Sequence, residues 1–474
     1  MLSFVLAASL AAAPAPRTLT SAETVVHIPR LDALQGVSAF LGRAGQYAAL
    51  MRPVVWYAEL HPFFSFDPGQ PDTLSALGID PTGPLTVSVR GGGRVSCTHL
   101  TDAKTFQQKA AEMLASLGSK TKEVKPTTSG GVTSVSLPRE SGGRVGYALK
   151  GQEACSFTSS GGGFVDDGQG QALLKEAVRL VGRAPKPDAK LGQLTGVLYV
   201  LLPGRGLVVG MDGGGSELRL EGTSTKLPLP PFQASGTSPY GTMKPEGMLF
   251  SRARVAPAGV SQAVGGVRAS IQRVCPSCPA DEVSSVARAV AERLTGNVLV
   301  VADSVKSRPN LRSVEGRFFA PRQAIAAEVT DVAGMKTALA PLAKLPGARA
   351  LEDGYALDVK GGTLFVRLKG KHLVVGNDEE VAQTVTTTVG ALPAEGTKPP
   401  HAVDFSVDPK RLARGLKQVP LMDVVSDQQL AALFTLGLEM GPLLANSEQI
   451  TGWLDSSTGG AHRFSALWTL PATP

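Results

Sequence analysis

Apolar residues along this chain recur at two spacings, one near 3.6 residues and one of 2, and the two alternate in a fixed order. Phe106, Ala110, Met113 and Leu114 follow Thr101-Asp102 at helical spacing, and an Asp or Thr there can accept from the free N–H groups of a first helical turn. Val145, Tyr147 and Leu149 alternate with other residues, as in a strand with one buried face. The same reading predicts a helix over 33–50, an aromatic loop over 52–72 and a short helix ending near Gly78. Strands at 84–90 and 94–100 follow, then a helix over 102–117 and strands at 131–137, 143–150 and 153–158. A helix over 170–181 and strands at 196–202 and 216–226 close the segment. Short turns join successive strands, which predicts mostly antiparallel pairing.

The order then recurs. Thr330-Asp331 precedes a second stripe, Met335, Leu339, Leu342 and Ala343. Leu364, Val366 and Leu368 alternate before Leu368-Lys369-Gly370, an echo of Leu149-Lys150-Gly151. Val37, Leu41, Ala44, Ala48 and Met51 have counterparts in Val260, Val264, Val267, Ile271 and Val274. The expected fold class is therefore α+β, with two tandem, internally duplicated domains, each a mostly antiparallel sheet with packed helices. The first copy spans 22–227 and the second 248–472, joined by a linker over 228–247 that is dense in Pro, Gly and Ser. The second copy carries a helical insertion, about 408–447, whose main helix runs from Asp427 to Ala445. Leu433, Phe434 and Met440 help to leave that helix little polar face. Such a helix is a buried core element, or a lid that caps a groove or holds a partner.

Composition narrows the class. At 474 residues, 43% hydrophobic and 18% charged, the chain is globular and long enough for more than one ordinary domain. The apolar run from Leu2 to Ala13 is too short to span a bilayer and ends in small residues, so residues 1–15 are expected to be a signal peptide and the protein to be exported, to the periplasm or beyond. No later run reaches the length of a membrane span. The net charge of +7 is scattered among acids and prolines, which fits a solvated basic surface and not a nucleic-acid interface.

The four cysteines form two groups. Cys97 and Cys155 lie in predicted strands, and their positions in the second copy hold Ala326 and Val374. Two cysteines in one copy that become two apolar residues in the other mark a pair of touching, inward positions, so a Cys97–Cys155 disulfide is expected. Cys275 and Cys278 form Cys-Pro-Ser-Cys before a helix; a structural disulfide, disulfide exchange and zinc are the readings, and zinc would need two further ligands. Trp56, Tyr57, Phe63, Phe64 and Phe66 put five aromatics into eleven residues. They either anchor a long loop to the core or line a ligand or partner surface.

The chemistry of cofactors leaves no linear trace. His27, His61, His99, His372, His401 and His462 lack metal-site spacing, and neither Gly91-Gly92-Gly93 nor Gly161-Gly162-Gly163 has a phosphate-binding lysine. Neither a cofactor nor a metal is expected. Leu77-Gly78-Ile79-Asp80-Pro81, the strands after it, and Thr101-Asp102 echoed at Thr330-Asp331 give the chain an order that resembles a family of exported bacterial proteins known only as a domain of unknown function. The resemblance implies export and paired domains, and brings no catalytic residues with it. The expected function is a non-enzymatic scaffold or binding module of the bacterial envelope, with an unknown envelope protein or an apolar small molecule as partner. The alternatives are a carrier of lipid or another apolar ligand and a thiol-disulfide oxidoreductase using Cys275 and Cys278.

Overall fold

The computed structural model describes residues 18–19, 21–67, 70–117, 125–139, 142–159, 167–183, 191, 194–226, 229, 232–233, 236–256, 279–309, 317–359, 362–393, 395–418, 428–457 and 460–472; the side chains of 167, 280, 306–309, 317–320 and 428–434 stand outside that set. The chain divides into two compact units, one reaching to Leu227 and the other spanning Pro228–Pro471.

The strands of the first unit are β1 (Thr24–Ile28), β2 (Leu85–Arg90), β3 (Gly93–His99), β4 (Thr127–Ser129), β5 (Val132–Pro138), β6 (Arg144–Lys150), β7 (Glu153–Ser159), β8 (Leu198–Leu202), β9 (Leu207–Gly213) and β10 (Glu217–Ser224). Their antiparallel pairings give the order β4-β5-β6-β7-β3-β2-β1-β8-β9-β10. The turn from β2 to β3 is Gly91-Gly92, with φ of +54° and +77°. A two-residue hairpin loop with both central φ values positive matches the twist of its strands, and only residues such as glycine adopt it cheaply. β1 lies at the centre of the order although the residues up to 25 read as a short lead. Its inward-facing His27 interrupts the apolar pattern; the ring is buried and its Nδ1 bonds Thr86 Oγ1 at 2.8 Å.

Helix Ala103–Leu117 is capped by Asp102, which accepts from Lys104 N at 2.9 Å. Phe106, Ala110 and Leu114 are fully buried. On the other face, Cys97 and Cys155 are direct register partners and form a disulfide, Cα–Cα 4.0 Å. The bridge is buried with Val95, Phe157, Leu173 and Ala177, the last two from helix Asp167–Leu180.

In the second unit the strands are β11 (Leu249–Arg254), β12 (Leu294–Pro309), β13 (Arg317–Val329), β14 (Ala348–Leu351), β15 (Gly354–Val359), β16 (Gly362–Lys369), β17 (His372–Gly376), β18 (Val403–Val407), β19 (Gln449–Ser456) and β20 (His462–Thr469). The order is β14-β15-β16-β17-β13-β12-β11-β18-β19-β20. Helix Glu379–Gly390 packs Val381, Val385 and Val389 against Leu299, Ala326 and Val374. Ala326 and Val374 are themselves direct partners across β13 and β17. Between β18 and β19 stand two helices, Pro409–Lys417 and Gln428–Ala445.

The β3–β7 and β13–β17 pairings each set an imidazole opposite a carboxylate, with the residues exchanged. His99 on β3 faces Glu153 on β7 at 3.1 Å, and Glu328 on β13 faces His372 on β17.

The expectation of tandem domains with separate sheets is corrected here: the twenty strands belong to one antiparallel sheet. Alternation of apolar residues says which face of a strand is buried. It carries no signal for where a sheet ends, because an edge is defined by backbone groups that every residue carries.

Replacing both Cys97 and Cys155 by Ala is expected to lower the unfolding free energy by about 2–4 kcal/mol. Urea denaturation with and without reductant measures this, and equal midpoints for the variant and the oxidised wild type would contradict it.

Candidate functional site

The aromatic segment of the first unit starts in helix Pro53–Tyr57. Tyr57 donates to Ser38 Oγ at 2.9 Å, and Ser38 in turn donates to Asp67 Oδ1 at 2.9 Å. This relay ties both ends of the segment to helix Gln35–Ala44. Burial raises the Tyr57 pKa well above its ordinary value, so the phenol stays neutral. Between these anchors His61 lies flat on Phe64, with centroids 4.9 Å apart and planes 15° apart, and meets Phe63 and Phe106 edge-on. Phe63 and Phe106 also pack on Tyr147 of β6.

Burial sets the chemistry of His61. Its Nδ1 accepts from Phe63 N at 3.2 Å and Phe64 N at 3.3 Å, so the proton sits on Nε2. Removal from water disfavours the imidazolium, and the charge of Arg94 opposes it further; together they lower the pKa to about 3. Tyr57, Phe63, Phe64 and Phe66 are all buried, whereas Trp56 is half-buried and donates from Nε1 to Leu50 O at 2.9 Å. Four of the five rings, which the sequence allows either to anchor the loop or to line a ligand or partner surface, therefore face the core and one another.

The second unit holds an open cleft of about 380 Å³. Phe250 of β11 forms its buried floor, and Ser406, Asp408, Arg411, Gln449 and Thr469 stand around it, with Glu246 and Glu448 at its exposed edges. The charges are fixed before any guest arrives. Asp408 caps helix Pro409–Lys417 by accepting from Arg411 N at 3.0 Å, and the Arg411 side chain reaches Asp408 at 3.4 Å and Asp303 at 3.1 Å. Gln449 Nε2 donates to Ser406 Oγ at 3.1 Å. Arg322 bonds Asp378 at 2.8 Å and Glu380 at 2.6 Å, and these hydrogen bonds raise its pKa, keeping the guanidinium charged. No signal in the linear sequence links these positions, since residues between 246 and 469 meet only through the strand order.

The segment read as a linker also supplies structure to this unit. Tyr240 is fully buried and bonds His372 Nδ1 at 3.2 Å. Arg252 Nη1 donates to the carbonyls of Tyr240, Gly241 and Met243, and its guanidinium pairs with Asp404 at 2.8 Å. Asn297 and Thr295 both donate to Glu328, at 2.6 and 2.8 Å. Burial lowers the His372 pKa more than the charge of Glu328 raises it, so Tyr240 and His372 meet as neutral partners.

Met440 of helix Gln428–Ala445 is half-buried, and Leu436 and Leu438 are 38% and 44% exposed. The side chains of Leu433 and Phe434, and Cys275 and Cys278 entirely, lie outside the described residues. Among the described residues no helix is long and apolar enough to cross a membrane, and no group of three or more His, Cys, Asp or Glu is placed to hold a metal ion. No protein-family model, curated protein or solved structure matches the chain.

His61 gives a pH signature with a definite sign. Its folded pKa of about 3 lies below the unfolded value of about 6.5, so the unfolded state binds the extra proton. This contribution to stability is complete above about pH 6.5 and is lost as pH falls toward 3, by up to ~1.4 kcal/mol per pH unit. His61→Phe should flatten the dependence of unfolding free energy on pH between 6.5 and 4 in urea titrations. An unchanged slope would show that His61 is not a buried neutral base.

Proposed function

We propose that this protein acts by binding, as an exported scaffold or ligand-binding module, with the cleft of the second unit as its ligand surface. The observation that carries this reading is the fixed arrangement of charge around that cleft. Arg411 is held between Asp303 and Asp408, and Ser406 and Gln449 are bonded to each other. A guest therefore meets oriented groups and loses little by ordering them. The walls combine both signs of charge with amide and hydroxyl groups, a surface that suits a small polar molecule or a short polar peptide.

Export is supported by the buried Cys97–Cys155 bridge, since such bridges persist in oxidising compartments. The apolar run from Leu2 to Ala13 agrees with it. A second reading, a carrier of lipid or another apolar ligand, is favoured by the exposed Leu436 and Leu438 on one helix.

The test is native mass spectrometry of the protein purified from its own compartment, in parallel with Gln449→Trp, which fills the lip of the cleft. The expected result is a polar molecule retained by the wild type and lost from the variant. Equal retention by both proteins would overturn the assignment of the cleft, and a lipid in the organic extract that survives in the variant would favour the carrier.

A further inference from the structure

One patch of the first unit inverts the usual relation between burial and polarity. Ser96 of β3 and Ser156 of β7 are direct partners, both completely buried, and neither hydroxyl has a hydrogen-bond partner among the described residues. Tyr147, the partner of Ser156 on β6, shares their face and carries Phe63 and Phe106 upon it, so the serines lie on the floor beneath the aromatic segment. At the same place in the second unit, β13 and β17 pair Ile325 with Val375. Ile325 is 40% exposed. The hydroxyls thus stand where the sheet is fully roofed, and the aliphatic pair where it is covered only in part, Val375 packing against the cluster that holds Met335 and Leu339.

A dry floor under four rings favours Ile and Val, because each buried hydroxyl left without a partner costs roughly 1–3 kcal/mol. Such a cost calls for an explanation in an ordered water, a guest or an ion, and places where patterning fails are where function is expected. Two further buried polar atoms lie on this side of the sheet, close enough that the charge of Arg94 acts on His61. Arg94 lies two residues before Ser96 on β3, hence on the same face; its Nη1 bonds the Glu59 carbonyl at 2.6 Å and the Glu59 carboxylate, while its Nε is buried with no partner among the described residues. His61, in the roof, is buried with its Nε2 likewise without one.

We propose that the aromatic segment roofs a buried site for a small anion of halide size, held by Arg94 Nε–H, His61 Nε2–H and the hydroxyls of Ser96 and Ser156. The sign follows from the donor inventory. Arg94 Nε and His61 Nε2 can only donate, because Nδ1 of His61 is already the acceptor of two backbone N–H groups, and serine hydroxyls rotate to donate. Arg94 is paired with Glu59 through Nη1, and its Nε–H remains a charge-assisted donor in a water-poor setting. Aromatic rings offer positive edges to such a guest. The size follows from the floor: Ser96 and Ser156 are immediate neighbours across two strands under closely packed rings, which suits one atom better than a polyatomic group.

Bromide is the probe. Crystals of the whole chain grown in bromide should show an anomalous peak within hydrogen-bond distance of those four atoms. In solution the thermal midpoint should rise with bromide and saturate, relative to gluconate at equal ionic strength. Ser96→Ala with Ser156→Ala should abolish that rise while leaving the midpoint in gluconate unchanged or higher. A site that is dry or holds only water, or a bromide response that survives in the double variant, would overturn the proposal.

Discussion

The β3–β7 pairing is the contact on which the first unit depends. The ladder β4-β5-β6-β7 is built from neighbours in sequence, as is the β2–β3 hairpin, and each forms through short turns. Among the described strands, only the pairing of β3 with β7 joins them, across a separation of 58 residues at Cys97 and Cys155. Closing a loop of that length costs entropy before any packing repays it. The disulfide removes most of that cost from the folded-to-unfolded balance by holding the two strands together in both states. In the second unit the β13–β17 pairing has the same place in the strand order, and Ala326 and Val374 meet there under Val381 and Val385. Both units pack a helix over this pairing, and the first adds a covalent bridge beneath its helix.

That division explains what sequence reading could and could not reach. Apolar spacing located helix Ala103–Leu117 and strands β3, β6 and β7 because each has one buried stripe, and the expected Cys97–Cys155 bridge is present. β1 escaped because His27 occupies an inward position and bonds Thr86, so a polar residue broke the alternation at the centre of the sheet. Tyr240 escaped for the opposite reason: a single buried ring in a segment rich in Pro and Gly leaves no periodicity, although Arg252 and His372 bind that segment firmly. The cleft was illegible because its walls come from β11, β18, β19, β20 and a helix start. The aromatic cluster was visible as composition, but whether rings face outward or inward is decided by the Tyr57–Ser38–Asp67 relay, which no local pattern encodes.

The buried polar groups follow one rule. His61 and His372 are driven neutral by burial, and the Tyr57 and Tyr240 phenols are kept neutral by it. The arginine ion pairs stand instead where water still reaches at least one partner, as with Arg322 beside Glu380 and Arg411 beside Asp303, while the buried Glu221 is met by the N–H and hydroxyl of Thr195. The interior therefore carries hydrogen bonds without paying for isolated ions, and the charged arrays gather at strand ends and helix starts, where the cleft lies.

The exchanged imidazole and carboxylate of the β3–β7 and β13–β17 pairings bear on how this architecture varies. A register pairing does not depend on which strand bears which residue, so His99 with Glu153 and Glu328 with His372 occupy the corresponding rung of their ladders with the residues exchanged. Both ladders thus set an imidazole beside a carboxylate, and they differ in which strand carries each. Comparison taken one position at a time would score both as unlike and pass over the exchange; only reading partners jointly across the ladder brings it to view.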